Sequence, residues 1–192
     1  MKKLLVWIFA LIVITAAAFG TYTVAKNMTD KDKKTEVKRT VYTTASEFET
    51  GVLNTCNGLD SSELQSDEDT AGMTEKEAAD SLKKARVQIE GFVEAFSKID
   101  APEEYEKDWK TLNKKITALS ENIAQLETQL RELIKAQAQI NGISSDSEAQ
   151  TIQENINEIG ATVQELSTEF ETTNSEIETL GTKLNIGECF GV

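Results

Sequence analysis

The sequence predicts an all-α protein, in which an N-terminal transmembrane or signal helix precedes an elongated helical bundle with a long antiparallel coiled-coil hairpin. Three observations indicate this fold class. The 192 residues include one proline and ten glycines, so few positions interrupt a helix. The apolar residues recur at alternating spacings of three and four, the period of a helix with one buried stripe. Two of these stripes also mirror each other along the chain.

The composition excludes several classes of function. The formal net charge is −13 and histidine is absent. An acidic chain repels phosphate backbones, so we expect no nucleic-acid partner. Without histidine the commonest general base and transition-metal ligand are missing, and we find no phosphate-binding glycine loop, GxSxG motif or metal-ligand spacing. We therefore expect no enzymatic activity, catalytic residue, cofactor or metal site.

Residues 1–25 are predicted to be a transmembrane anchor or a signal peptide. After Lys2 and Lys3, residues 4–25 are mostly apolar and would be long enough as a helix to cross a bilayer. The small residues 16–18, all alanine, also offer a cleavage site. Retention predicts a single-pass protein of the cell membrane, and cleavage predicts a secreted one.

The domain beyond the anchor is predicted to be extracytoplasmic. The signal-like start and the two cysteines of an otherwise cysteine-free chain suit an oxidising compartment. Residues 26–35 form a charged linker whose lysines oppose this orientation, because basic flanks favour the cytoplasmic side. A cytoplasmic coiled coil attached to the membrane is therefore an open alternative.

Residues 36–192 are predicted to form the helical bundle, with helices at about 36–57, 75–100, 103–141 and 146–185. An acidic loop, residues 58–74, separates the first two helices, and the residues from Asp67 to Asp69 match only the opening of a calcium loop. Capping boxes mark two helix starts, at Thr74 with Glu77 and at Ser145 with Glu148.

The third and fourth predicted helices carry the strongest signal. When the chain is folded back at residues 144–145, their stripes match over eleven layers, from Tyr105 opposite Leu184 to Ile140 opposite Ala149. This predicts an antiparallel hairpin about 55 Å long. Two layers are mixed, with Gln137 opposite Ile152 and Thr173 opposite Ile116, and we interpret them as register control.

A disulfide is predicted between Cys56 and Cys189, since these are the only two thiols of a chain expected to leave the cytoplasm. Cys189 follows Leu184 and should lie at the open end of the hairpin. Cys56 must reach the same end, which predicts that the acidic loop crosses over and the first helix runs parallel to the second. Two buried free cysteines are the alternative.

Three segments suggest a relationship: residues 53–57 around Cys56, residues 180–189 around Cys189, and the helix-breaking residues 96–103. In these segments the chain resembles exported or membrane-anchored two-cysteine helical proteins of Gram-positive, actinobacterial-type bacteria. The strict heptad length and sparse alanine depart from that group. The resemblance implies an exported helical bundle and supplies no catalytic residue.

We expect a membrane-tethered extracytoplasmic bundle that acts as a structural or protein-interaction module at the cell surface. Its expected partners are the membrane, through residues 4–25, and a protein or second copy, through helical faces. Acids outnumber bases ten to one between Glu47 and Asp80 and again from Asn141 onward, which serves solubility or suits a basic partner. The first alternative is an extracytoplasmic small-ligand sensing or binding bundle with a site near Trp109 or the mixed layers. The second is the cytoplasmic coiled coil.

Overall fold

The structure is a computed structural model that describes residues 39–59, 75–140 and 146–192. This region is all-α, as predicted, and forms a helical bundle. Its helices are α1 (Ala45–Gly58), α2 (Glu75–Ser97), α3 (Glu106–Ile140) and α4 (Asp146–Lys183), followed by a 3₁₀ helix at Gly187–Phe190. Two short strands, β1 (Thr40–Val41) and β2 (Ile99–Asp100), pair in parallel.

The helices α3 and α4 pack antiparallel along their predicted stripes. Asn122 Nδ2 donates to the Leu166 carbonyl at 3.1 Å. Ion pairs also join the two helices, between Lys115 and Glu176 at 2.6 Å and between Lys183 and Asp108 at 2.8 Å. Each contact falls one or two positions from the predicted register. The turn that connects the two helices, residues 141–145, and the cap at Ser145 lie outside the described residues.

The helix α2 packs against α3 and completes a core shared by the three long helices. Ion pairs from Arg86 to Glu127 (3.3 Å) and from Arg131 to Asp80 (3.4 Å) cross between α2 and α3 and show that they run antiparallel. The core residues at the predicted apolar positions of the three helices include Leu82, Ile89, Phe92, Ile116, Leu119, Ile123, Leu130, Ile159, Val163 and Phe170.

Two predicted boundaries between the second and third helices are wrong. The second helix ends at Ser97 rather than at residue 100, because Ile99 and Asp100 extend to pair with β1. The third begins at Glu106 rather than at residue 103, since the backbone turns first, with the Tyr105 N–H donating to the Pro102 carbonyl at 2.9 Å.

The predicted start of the first helix is also wrong: α1 begins at Ala45 rather than at residue 36. Thr44 is extended and its side chain accepts the Glu47 N–H at 3.3 Å, as an N-cap does. The pair Thr44 and Glu47 has capping-box spacing, a signal that the apolar stripe through Val41 obscured. Helix α1 ends at Gly58, near its predicted end. The rest of the acidic loop, residues 60–74, lies outside the described residues.

The helix α1 runs back from the open end of the bundle, so the expectation that it runs parallel to α2 is wrong. Before α1, the Tyr42 N–H donates to the Asp100 carbonyl at 3.1 Å. After α1, Leu59 lies beside Gly91, further back along α2. The chain thus enters α1 at the end of the bundle where the predicted crossover had α1 finish.

The C-terminal tail reverses to meet α1. Asn185 has a left-handed φ of 55° and the Ile186 N–H donates to the Gly181 carbonyl at 2.9 Å, which closes the end of α4. The reversed tail carries Cys189 and Phe190 into the core. The disulfide is therefore reached by folding the tail back and not by a crossover of the first helix.

We expect Gly181→Ala to lower the free energy of unfolding by about 1 to 3 kcal/mol, because a Cβ there would lie 2.6 Å from Phe190 Cδ2 in a well-packed site. Gly58→Ala is the matched control, since no side chain of the described residues lies within 4 Å of its Cβ position. Urea unfolding of both variants measures the difference. Equal free energies of unfolding for the two variants would show that Phe190 moves to accommodate the new Cβ without loss of stability.

Within the described ranges, no helix is both long and apolar enough to cross a membrane. The predicted anchor at residues 1–25 and the charged linker at 26–35 lie outside those ranges.

Candidate functional site

The open end of the bundle is the candidate functional site, because it gathers both cysteines, strand β1 and most aromatic side chains of the described residues. Cys56, in the last turn of α1, forms the predicted disulfide with Cys189 of the 3₁₀ helix, and their Cα atoms are 5.6 Å apart. Cys189 is buried and Cys56 is half-buried. The bond joins the first described helix to the end of the chain.

An aromatic cluster packs the first turn of α1 into the open end of the bundle. The Phe48 ring is fully buried, with its centroid 5.1 Å from that of Trp109, 5.6 Å from Tyr105 and 6.1 Å from Tyr42. The indole N–H of Trp109 donates to the Ile99 carbonyl at 2.9 Å. The cluster therefore attaches α1 to the start of α3 and to the β-strand pair.

Sequence reasoning missed Tyr42 and Phe190 as members of this core. Tyr42 packs over Gly51, where a Cβ would lie 2.0 Å from the phenol oxygen, and Phe190 packs over Gly181 in the same way. A glycine inside a helical pattern costs stability relative to alanine unless something approaches its backbone closely. The two glycines were thus the signal that could have located both rings.

A polar cluster links three segments at the surface of the open end. The Tyr105 hydroxyl donates to Glu49 Oε1 at 2.9 Å, and Asn185 Nδ2 donates to the same oxygen at 3.0 Å. The hydrogen bond to Glu49 is the main cause that raises the pKa of Tyr105, and burial adds to it. The cluster joins α1, the start of α3 and the reversed tail.

The raised pKa of Tyr105 predicts a loss of stability at alkaline pH. The unfolded chain releases the hydroxyl proton of Tyr105 near pH 10, whereas the folded protein releases it at a higher pH. The contribution of Tyr105 is therefore complete below about pH 10 and is lost as the pH rises through its folded-state pKa. We expect Glu49→Gln to bring that pKa down toward its ordinary value, as measured by the absorbance of tyrosinate. Glu47→Gln, on the same helix, is the control, and identical titrations of the two variants would contradict the assignment.

The predicted mixed layers are only part of the polar content of the core. Thr173 is buried and Gln137 is half-buried. The larger polar groups are Asn122 and Asn174, which the apolar stripes gave no reason to single out. Asn122 Oδ1 is buried and has no hydrogen-bond partner among the described residues. A buried amide costs stability and penalises slipped pairings of the helices. We therefore interpret Asn122, like the mixed layers, as a residue that favours one register of α3 against α4.

An elongated groove of about 630 Å³ runs along the outside of α2 and α3, next to the strand pair. Small side chains, among them Ser97, Ala101 and Ala118, leave it open. Its polar lining includes Asn113 and Lys114. Further toward the hairpin turn, the two ion pairs between α2 and α3 bridge the same seam. The Trp109 indole, 4% exposed, forms part of the floor.

The remaining polar side chains of the described residues were considered as metal ligands and as a charged surface. No group of three or more His, Cys, Asp or Glu side chains in these ranges could hold a metal ion. The partial calcium motif at Asp67 and Asp69 lies outside them. Carboxylates line the outer face of α4, where Glu154, Glu158 and Glu165 are exposed. This face of α4 is strongly acidic.

Comparison with known proteins yields no relative: no protein-family model, curated protein or solved structure matches the chain.

Proposed function

We propose that this protein is a membrane-tethered, extracytoplasmic helical bundle that acts as a structural or protein-interaction module at the cell surface. The observation that carries the proposal is the position of Arg39, the first described residue, at the same end of the bundle as the disulfide. From that end α3 extends for 35 residues, or roughly 50 Å. A tether at the open end would hold the long helices out as a projecting rod.

The charge of the outer helical faces supports a role in contact with other proteins. From Asn141 onward the sequence has ten acidic residues and one basic residue, Lys183. Lys183 already pairs with Asp108 of α3. Glu176 of α4 pairs with Lys115 of α3, and the exposed carboxylates of Glu154, Glu158 and Glu165 leave an acidic face that suits a partner with a basic surface.

The small-ligand alternative requires space inside the bundle near Trp109. Phe48 and Phe96, both fully buried, lie against Trp109 with ring centroids 5.1 and 5.0 Å away. The groove borders this layer on its outer side, with Phe96 and Trp109 in its lining, and lies outside the packed interior. These observations favour an interaction module over a solute-binding bundle.

Protease treatment of intact cells that produce the full chain tests the location. We expect the bundle to be digested from outside and its two cysteines to resist alkylation until a reductant is added. A bundle that stays protected until the cells are lysed, or that carries two freely alkylated thiols, would contradict the extracytoplasmic location.

Photo-crosslinking on the same cells tests the interaction. A photoreactive side chain at Glu158, on the acidic face of α4, should give a discrete protein adduct, whereas one at the exposed Lys107 of α3 should not. Reversing the charge of Glu154 and Glu165 should reduce the adduct at least fivefold. Adducts that are equal at both sites, or unchanged by the charge reversal, would contradict a binding face on α4.

A further inference from the structure

The two cysteines of the disulfide differ in their exposure to solvent. Cys189 is 6% exposed, and Phe190, the next residue, is buried as well. Cys56 is half-buried in the last turn of α1, and the two residues that follow it are exposed. Among the described residues, no side chain beyond its chain neighbours lies within 4 Å of the Cβ position at the second of these, Gly58. A thiol in solution therefore approaches the bond from the side of Cys56.

The tail that carries Cys189 is held on α4 by contacts that do not involve the disulfide. Ile186 is fully buried, and its carbonyl accepts the Cys189 N–H at 3.0 Å. Phe190 packs over Gly181 so closely that a Cβ there would lie 2.6 Å from the ring. When the bond to Cys56 is opened, we therefore expect Cys189 to stay in its buried position.

We propose that Cys56 is the residue at which thiols outside the protein attack and open this disulfide. The rate of thiol–disulfide exchange depends on which sulfur atom the attacking thiolate can reach. The difference in exposure directs the attack to Cys56, so the leaving sulfur is that of Cys189, which remains in the tail. Cys56 is therefore a site of covalent modification by thiols, in addition to its role in stability.

The complete reduction of the bond takes two steps and one dithiol. First, a thiolate of the dithiol attacks Cys56 Sγ, the S–S bond breaks, and Cys189 leaves as a thiolate and takes up a proton. The dithiol is now joined to Cys56 in a mixed disulfide. Second, its other thiolate attacks its own sulfur in that bond, and Cys56 leaves and is protonated. The two cysteines gain the two protons that the dithiol has released, and the dithiol is oxidised to its disulfide.

The mixed disulfide on Cys56 has two fates. The Cys189 thiol stays close to it at a high effective concentration and displaces a monothiol, which closes the original bond again. A dithiol competes with this reversal, because its second thiol is held equally close. Opening by a dithiol detaches the last turn of α1 from the tail, while Phe48 still packs the first turn against Trp109. The disulfide is thus a redox-controlled link between α1 and the reversed tail.

Trapping the mixed disulfide in the purified full chain, in detergent, tests the proposal. The native protein is treated briefly with the monothiol glutathione and quenched in acid, free thiols are alkylated, and mass spectrometry locates the glutathione. We expect about tenfold more glutathione on Cys56 than on Cys189, and a ratio of about one in concentrated urea, where access is equal. Equal labelling in the native protein, or an excess on Cys189, would overturn the proposal. A disulfide that forms no adduct until the protein unfolds would overturn it as well.

A variant of the tail provides the second test. Phe190→Ala removes the ring that packs over Gly181, so Cys189 becomes more accessible and the preference for Cys56 should fall at least threefold, toward the ratio in urea. Phe170→Ala is the matched control, because it truncates an equally buried ring of α4 that lies away from the tail, and it should keep the native preference. Equal ratios in the two variants would show that the burial of Cys189 does not direct the exchange, and would overturn the proposal. Because the measurement uses purified protein, its outcome is independent of where the bundle lies in the cell.

Discussion

Replacing both Cys56 and Cys189 with serine is expected to lower the free energy of unfolding by about 3 to 5 kcal/mol. The bond spans 133 positions of sequence, and the chain-entropy description gives about 5 kcal/mol as its upper value for a loop of this size. Native strain or residual structure in the unfolded chain reduces that figure. Urea unfolding of the double variant, followed by circular dichroism, measures the change.

The loss should be concentrated at the open end. Helix α1 and the reversed tail are attached to the long helices mainly through the aromatic and polar clusters, while α2, α3 and α4 retain their own core. We therefore expect Trp109 fluorescence to change at a lower urea concentration than helicity does. The wild-type protein in reductant should behave like the double variant. An unchanged unfolding midpoint would show that the disulfide contributes nothing to stability.

Phe48→Ala is expected to cost about 3 to 5 kcal/mol, the range for truncating a fully buried aromatic side chain. The substitution removes ring contacts with Tyr42, Tyr105 and Trp109 and leaves a cavity between α1 and α3. Leu53→Ala, on the same helix at a half-buried position, should cost clearly less. If the two variants are equally stable in urea unfolding, α1 is not held by the aromatic cluster.

Combining Phe48→Ala with the loss of the disulfide tests whether both attach the same unit. Once one substitution has released α1, the second substitution removes fewer stabilising contacts, so the combined loss in the free energy of unfolding should be smaller than the sum of the separate losses. A strictly additive result would mean that the disulfide and the aromatic cluster stabilise independent parts of the fold.

The three long helices were predictable because their signals are local. Their apolar positions recur every three or four residues, and the mirrored stripes of α3 and α4 place partners such as Leu126 and Val163 within one core. The disulfide was also predictable, since Cys56 and Cys189 are the only candidates. The errors at residues 39–44, 98–100 and 103–105 arose where helical spacing continued past the true ends of the helices. There, backbone pairing between Thr40 and Lys98 outweighed the periodic pattern.

The sequence by itself therefore determined the helical class, the three long helices and the antiparallel pairing of α3 and α4. The reason is that a helix with one buried face has apolar residues at spacings of three and four, which can be read from nearby positions in the chain. Only the tertiary structure decided the direction of α1, the reversal of the tail and the position of the groove. These depend on contacts between residues far apart in the chain, such as Phe190 against Gly181 of α4 and Arg39 beside Asp100. Such contacts have no period, because each is set by the shape of two surfaces that meet only after the helices have packed.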